Sequence, residues 1–182
     1  MPTIKDLAQL GKLIAPHHGW AAAKAFKAAT LTDAERAVVS QGAVDLLTVL
    51  PPMKGAGAMM SAALAVRLEG RLQSPAYVVT GVLSVEGVPV LGQGEEPHAW
   101  LMIGGTVVDI AMFRAAYASW GPPRLARHVD LVFGPNKALY ADQWQRTARH
   151  GLTYEPRAVL ARDAVTALMG DAYHAIKAKS AN

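Results

Sequence analysis

The sequence of 182 residues contains no cysteine. This absence excludes disulfide bonds and metal sites that depend on thiolate ligands. It also removes the side chain that thiol enzymes use as their nucleophile. The chain as it stands therefore has no means of covalent thiol chemistry.

Charged residues are few, at 18% of the chain, whereas apolar residues make up 52%. This balance is typical of a folded globular domain and not of a disordered segment. The net charge is only +4, and no basic block is interleaved with aromatic residues. We therefore expect no nucleic-acid partner.

Long apolar runs are absent as well. The longest, residues 56–66, holds 11 residues, and a membrane span needs about 20. The first residues show no basic start followed by an apolar stretch, so no signal peptide is predicted. We expect a cytoplasmic protein with no membrane partner and, from its length, a single domain over residues 1–182.

Helical periodicity dominates the first third of the chain. Thr32 and Glu35 have the spacing of a capping box, which predicts a helix start at that point. Pro51 and Pro52 should end the same helix. The pattern predicts a helical N-terminal cover, residues 1–52, made of helices over residues 3–14, 20–29 and 33–50.

Strand patterns replace helical ones in residues 53–135, which we predict to be the core. A helix rich in small residues should run from Gly57 to about Leu72 and be buried against an antiparallel sheet. Residues 136–182 are predicted to form C-terminal helices, over 138–149 and from Pro156 to about Lys177. Helices, then neighbouring strands, then helices indicate an α+β fold. The expected strands are 77–85, 88–91, 98–103, 106–111 and 129–133, with a short helix at 112–119.

His98 and Asp109 fall on the two strands of one predicted hairpin. Gly104-Gly105 suits a two-residue turn, so residues whose numbers add to 209 should lie opposite each other. His98 and Asp109 are then offset by two positions, which keeps both side chains on one sheet face and within reach. The alternatives are a simple strand-end histidine and an aspartate that caps a strand or pairs with an arginine.

The order of these features resembles the transglutaminase-like branch of the papain-like superfamily. The resemblance covers residues 55–111: Gly57 before position 58, a small residue four further on, Pro-Ala-Tyr-Val-Val at 75–79, His98-Ala99-Trp100, and Val107-Val108-Asp109. The His-Ala-Trp stretch is also similar to the leader peptidases of lasso-peptide biosynthesis. A papain-like core, with a buried central helix against an antiparallel sheet and flanking helices, is what the resemblance implies.

The resemblance also implies a function. It places a catalytic triad on Ala58, at the nucleophile position, with His98 as base and Asp109 as its orienting carboxylate. Such a triad acts on peptide amide bonds, by hydrolysis or acyl transfer, in a peptide or protein substrate and without a cofactor. Because a methyl group cannot attack a carbonyl, this chain would be inactive at that step.

Three explanations of Ala58 stay open. The first is that it replaces a cysteine of a parent enzyme. The second is that the chain is a natural pseudoenzyme that binds peptides or other proteins, and the third is that another group such as Ser61 acts instead. Further candidates for the cleft are Gly57, Trp100 and Gln41, the last as an oxyanion-hole donor. Each of these residues also has a purely structural interpretation. Ser61 and Trp100 suit a packed core, and Gln41 suits a helix surface. The adjacent His17 and His18 do not suggest a metal site.

Overall fold

The computed structural model describes residues 3–181 and has an α+β architecture with one curled antiparallel sheet. The described chain contains seven α-helices and six strands: four helices are followed by four strands, two helices, and a mixed C-terminal part. The helices are α1 Leu7–His18, α2 Trp20–Ala28, α3 Asp33–Val49, α4 Gly57–Leu68, α5 Met112–Tyr117, α6 Pro123–Val132 and α7 Arg162–Ser180. The strands are β1 Tyr77–Val85, β2 Val88–Leu91, β3 His98–Ile103, β4 Thr106–Asp109, β5 Tyr140–Gln143 and β6 Leu152–Val159, and a 3-10 helix covers Trp144–His150.

The three helices predicted for the N-terminal part are present, with small differences in their bounds. The capping box is formed, because the Thr32 hydroxyl accepts from the Glu35 amide while the Glu35 carboxylate accepts from the Thr32 amide. The first helix lies four residues later than predicted and continues through Pro16 to His18. It ends at Gly19, whose φ of 89° lies outside the range that most residues adopt.

The central strand of the sheet is β1, which pairs with three other strands. One of its edges carries β3 and then β2, and the other carries β6. The sheet continues from β3 through β4 to β5. In the β3–β4 hairpin, Leu101 lies opposite Val108 and Ile103 opposite Thr106. This is the register predicted from the Gly104-Gly105 turn, and it is confirmed.

Two apolar cores lie on the two faces of this sheet. One face carries Val79 and Trp100 and packs against side chains of α1, α2, α5 and α6. The opposite face carries Leu101 and Val108 and packs against α3, α4 and α7. The helix α4 is buried as predicted, because its small residues allow a close approach to β3. Its fully or almost fully buried small residues are Ser61, Ala62 and Ala63.

The predictions for the C-terminal half are wrong in three places. Residues 129–133 form no strand, since Pro123 starts a helix whose residues Leu125 and Val129 face the core one turn apart. Residues 138–149 form β5 and the 3-10 helix, because the main chain from Tyr140 pairs with β4. Tertiary pairing overrides the local helical tendency here.

Pro156 does not begin the last helix. It lies inside β6, opposite Gly81, at a point where the register of the β1–β6 ladder shifts. Proline is tolerated there because β6 is an edge strand and the irregularity removes the need for its missing N–H. The predicted C-terminal helices of residues 136–182 are therefore corrected to two strands, a 3-10 helix and α7.

Within residues 3–181, none of the helices combines the length and the apolar character that crossing a bilayer requires.

Candidate functional site

His98 and Asp109 are in direct contact. Their strands bring both side chains to the sheet face that carries Trp100, and His98 Nε2 lies 2.6 Å from Asp109 Oδ2. The imidazole is almost completely buried and the carboxylate is completely buried. A contact of this length inside the protein fixes the ring orientation and places the proton on the nitrogen that faces the carboxylate.

The Asp109 carboxylate accepts three further hydrogen bonds. Its Oδ1 accepts from the backbone amides of Ala111 and Met112, each at 2.9 Å. Its Oδ2 accepts from the Tyr154 hydroxyl at 3.0 Å. A buried carboxylate needs such donors, because an unpaired charge inside a protein is strongly unfavourable.

Tyr154 is the site residue that sequence reasoning missed. It lies on β6, in the segment predicted to lead into a helix, and only 2% of it is exposed. Burial, and next the nearby charge of Asp109, raise the pKa of Tyr154 well above its ordinary value. Its hydroxyl therefore stays protonated and donates a hydrogen bond to Asp109. The alternation of apolar and polar residues from Leu152 to Arg157 was the available sequence signal for a strand.

The other ring nitrogen of His98 faces the N-terminus of α4. A Cβ atom built on Gly57 would lie 3.9 Å from His98 Nδ1 and 3.6 Å from the Ala111 Cβ, which are ordinary contact distances. The residue that opens α4 beside the imidazole is therefore a glycine with no side chain, and a side chain would fit there. Within residues 3–181, no side chain caps this helix end.

A small cavity opens at this point, with a volume of about 190 Å³. His98 and Gly57 form part of its wall, and its charged lining residues are Lys54, Glu96 and Arg114. The remaining wall is mostly apolar. Its larger apolar residues are Met53, Met60, Leu91, Pro97, Trp120 and Pro122.

Arg114 builds one wall of this cavity through its hydrogen bonds. Its guanidinium donates to the carbonyl oxygens of Leu47, Leu50 and Pro51, at the end of α3 and the start of the loop before α4. Burial lowers the pKa of Arg114, although an arginine keeps its charge at any physiological pH. Its charge therefore orders the loop that leads to Gly57.

Four of the residues predicted for the site form no part of the cavity wall. Ala58 packs beside the core formed with α3 and α7 and is not part of the cavity wall. Ser61 is fully buried and donates to the Ala99 carbonyl at 3.1 Å. Gln41 is exposed on α3 and bonds Asp45, and it does not reach the cavity.

Trp100 packs behind the imidazole and forms none of the cavity wall. It is fully buried, with its ring centroid 5.8 Å from that of His98 and 5.1 Å from that of Tyr154. Its indole N–H has no hydrogen-bond partner among the described residues. Trp100 therefore acts as a rigid apolar support for both rings.

The described part of the chain contains no set of side chains placed to bind a metal ion. No group of three or more His, Asp and Glu side chains is arranged to hold an ion between residues 3 and 181.

No protein-family model, no curated protein and no solved structure matches this chain.

Proposed function

We propose that the chain is a transglutaminase-like pseudoenzyme that binds a peptide segment at the cavity beside His98 without forming a covalent bond to it. The observation that carries this proposal is the placement of His98. One nitrogen of its ring contacts buried Asp109, and the other faces a helix N-terminus at which Gly57 has no side chain.

The missing nucleophile favours binding over covalent catalysis. Among the described residues, the cavity wall contains no serine, threonine or tyrosine hydroxyl, and the sequence has no thiol. Ser61, the alternative nucleophile, is fully buried and its hydroxyl is used by Ala99.

The size and lining of the cavity favour a peptide over a small molecule. A volume of about 190 Å³ is below the usual range for pockets that enclose a whole ligand, about 300–1,000 Å³. The cavity therefore suits one apolar side chain of a longer ligand. The uncapped amides at the start of α4 and the His98 ring provide polar partners for the adjoining main chain.

A second candidate function is hydrolysis by water. The room beside Gly57 would admit a water molecule next to His98 Nδ1, and the ring could remove its proton while Asp109 stabilises the imidazolium. This function predicts turnover of activated esters or amides that disappears in His98→Ala.

Peptide binding is tested on an array of peptides blocked at both ends, each with one varied central residue. We expect binding of peptides whose central residue is apolar, and a loss of at least about tenfold in affinity for Gly57→Leu, whose side chain would occupy the cavity. Gly94→Leu is the matched control, because nothing lies within 4 Å of a Cβ atom at Gly94.

The proposal is wrong if the native chain binds no peptide, or if Gly57→Leu binds as the native chain does. Circular dichroism of both leucine variants checks that each is folded. Turnover of peptides or activated esters by the native chain would favour the water-based hydrolase instead.

A further inference from the structure

The Asp109 carboxylate divides its interactions unequally between its two oxygens. Oδ1 receives two backbone amides, whose positions are set by the turn into α5. Oδ2 receives two side chains, His98 and Tyr154, from strands on either side of β1. The imidazole and the phenol therefore compete for the negative charge of the same oxygen atom.

Tyr154 can act only as a donor in this arrangement. Its hydroxyl is buried and keeps its proton, and Asp109 and the Met112 sulfur, at 3.6 Å, are its polar neighbours. A hydrogen bond that stabilises a carboxylate reduces the attraction of that carboxylate for other protons. Donation by Tyr154 should therefore weaken the hold of Asp109 on the His98 proton.

We infer that Tyr154 is a positioning residue that acts on His98 through Asp109: by sharing the oxygen that the imidazole contacts, it leaves the cavity-facing nitrogen of the ring available as an acceptor. Without this hydroxyl, a buried carboxylate at 2.6 Å would favour the doubly protonated ring more strongly. A doubly protonated ring has two donors and no acceptor, so it would no longer accept a hydrogen bond from a peptide amide.

Other charged and titratable groups surround the pair and have to be considered. From β5, Tyr140 is close enough for the charge of Asp109 to contribute to its raised pKa, and its hydroxyl bonds His150. Lys54, Glu96 and Arg114 line the same cavity as His98. None of these side chains donates a hydrogen bond to Asp109, which distinguishes Tyr154 from them.

The test is a titration of the His98 ring protons by nuclear magnetic resonance in the native chain and in Tyr154→Phe. We expect the midpoint to move to higher pH in the variant by about one unit, the effect typical of losing one hydrogen bond to a charged group. Tyr140→Phe is the matched control, because it removes another buried hydroxyl that does not touch Asp109, and its midpoint should stay unchanged.

A second variant, in which 3-fluorotyrosine replaces Tyr154, should shift the midpoint in the opposite direction without removing any hydrogen bond. A more acidic phenol donates more strongly, so the His98 midpoint should move to lower pH. This measurement also replaces the first if Tyr154→Phe fails to fold. An unchanged midpoint in either variant, or a shift opposite to the one stated, overturns the inference and leaves Tyr154 a packing residue.

The inference rests on the proposed function in one respect, namely that the His98 ring accepts a hydrogen bond from a bound peptide. The titration uses no peptide, so its outcome is independent of whether the cavity binds one. If peptide binding fails and the midpoint still moves, Tyr154 controls the ring but the ligand has been misidentified. If peptides bind and the midpoint is unchanged, the cavity function stands and the role of Tyr154 does not.

Discussion

At the scale of single residues, the site depends on which residue opens α4. The resemblance assigns the nucleophile position to Ala58, and that assignment stays a prediction. The geometry favours its neighbour, since Gly57 faces His98 Nδ1 and Ala58 packs toward a helical core. A shift of one position on a helix turns a side chain by about 100°, so the two alternatives are distinguishable by experiment.

Cysteine placed at position 57 should become an unusually reactive thiol. The free amides of the helix end and the adjacent imidazole both favour the thiolate, whose ordinary pKa is about 8.5. We expect iodoacetamide to label Gly57→Cys at least about tenfold faster than Ala58→Cys at pH ~6.5. The measurement is the rate of alkylation followed by mass spectrometry.

The control for this prediction is Gly57→Cys combined with His98→Ala, which should be labelled more slowly than Gly57→Cys alone, because only the helix end then favours the thiolate. Equal rates for the two cysteine variants would mean that no thiol site existed at this helix end. Faster labelling at position 58 would instead restore Ala58 as the nucleophile position.

At the scale of secondary-structure elements, Glu35 joins two parts of the helical layer. Its carboxylate accepts from Thr32 at the start of α3 and from the amide of Gln73, in the segment after α4. These hydrogen bonds lower the pKa of Glu35, with the Thr32 amide as the largest cause, the Gln73 amide next and the Thr32 hydroxyl after them. The junction therefore stabilises the fold only while the carboxylate is ionised.

The pH dependence of this junction follows from the direction of that shift. Because the pKa of Glu35 is lower in the folded chain, its contribution is fully present above the ordinary glutamate pKa of about 4.3 and is lost as the pH falls through the folded value. We expect Glu35→Gln to lower the melting temperature near pH 7. The difference from the native chain should shrink as the pH falls below ~4.

Melting curves of both proteins between neutral and acidic pH check this expectation. Glu69→Gln is a suitable control, because the Glu69 carboxylate forms no hydrogen bond within residues 3–181. A difference for Glu35→Gln that is the same at every pH would mean that the ionised carboxylate does not stabilise the junction.

At the scale of the whole molecule, three buried phenols restrict how the protein responds to base. Tyr77, Tyr140 and Tyr154 are each less than a tenth exposed, and burial is the largest cause that raises the pKa of each. A raised pKa in the folded chain contributes stability that is present below the ordinary tyrosine value of about 10 and is lost as the pH rises beyond it.

We therefore expect these three of the five tyrosines to ionise only as the chain unfolds. Their phenolate absorbance should appear in one cooperative step, together with the loss of near-ultraviolet circular dichroism. Tyr140→Phe should reduce the size of that step by about a third, while Tyr173→Phe, which removes an exposed ring, should leave it unchanged. Gradual ionisation of all five tyrosines in a folded chain would contradict this.

The secondary structure of the first half of the chain could be predicted from the sequence better than that of the second half. The reason is that capping, small-residue and turn signals are stronger in the first half. Capping at Thr32, the small-residue helix α4 and the Gly104-Gly105 hairpin are each encoded within a few neighbouring residues. The strand β5 and the strand β6 with its internal Pro156 exist because β4 and β1 offer pairing partners distant in the sequence. No local pattern states which distant strands these segments pair with.

The sequence alone determined that the chain has no thiol, that it folds as α+β, and that His98 and Asp109 share a sheet face two positions apart. Those properties follow from composition and from strand alternation, which are local. Only the tertiary structure decided that Gly57 lies beside the imidazole and that Tyr154 joins Asp109 from β6. Both depend on how α4 and β6 pack across the curled sheet, and such contacts arise only when distant segments are brought together.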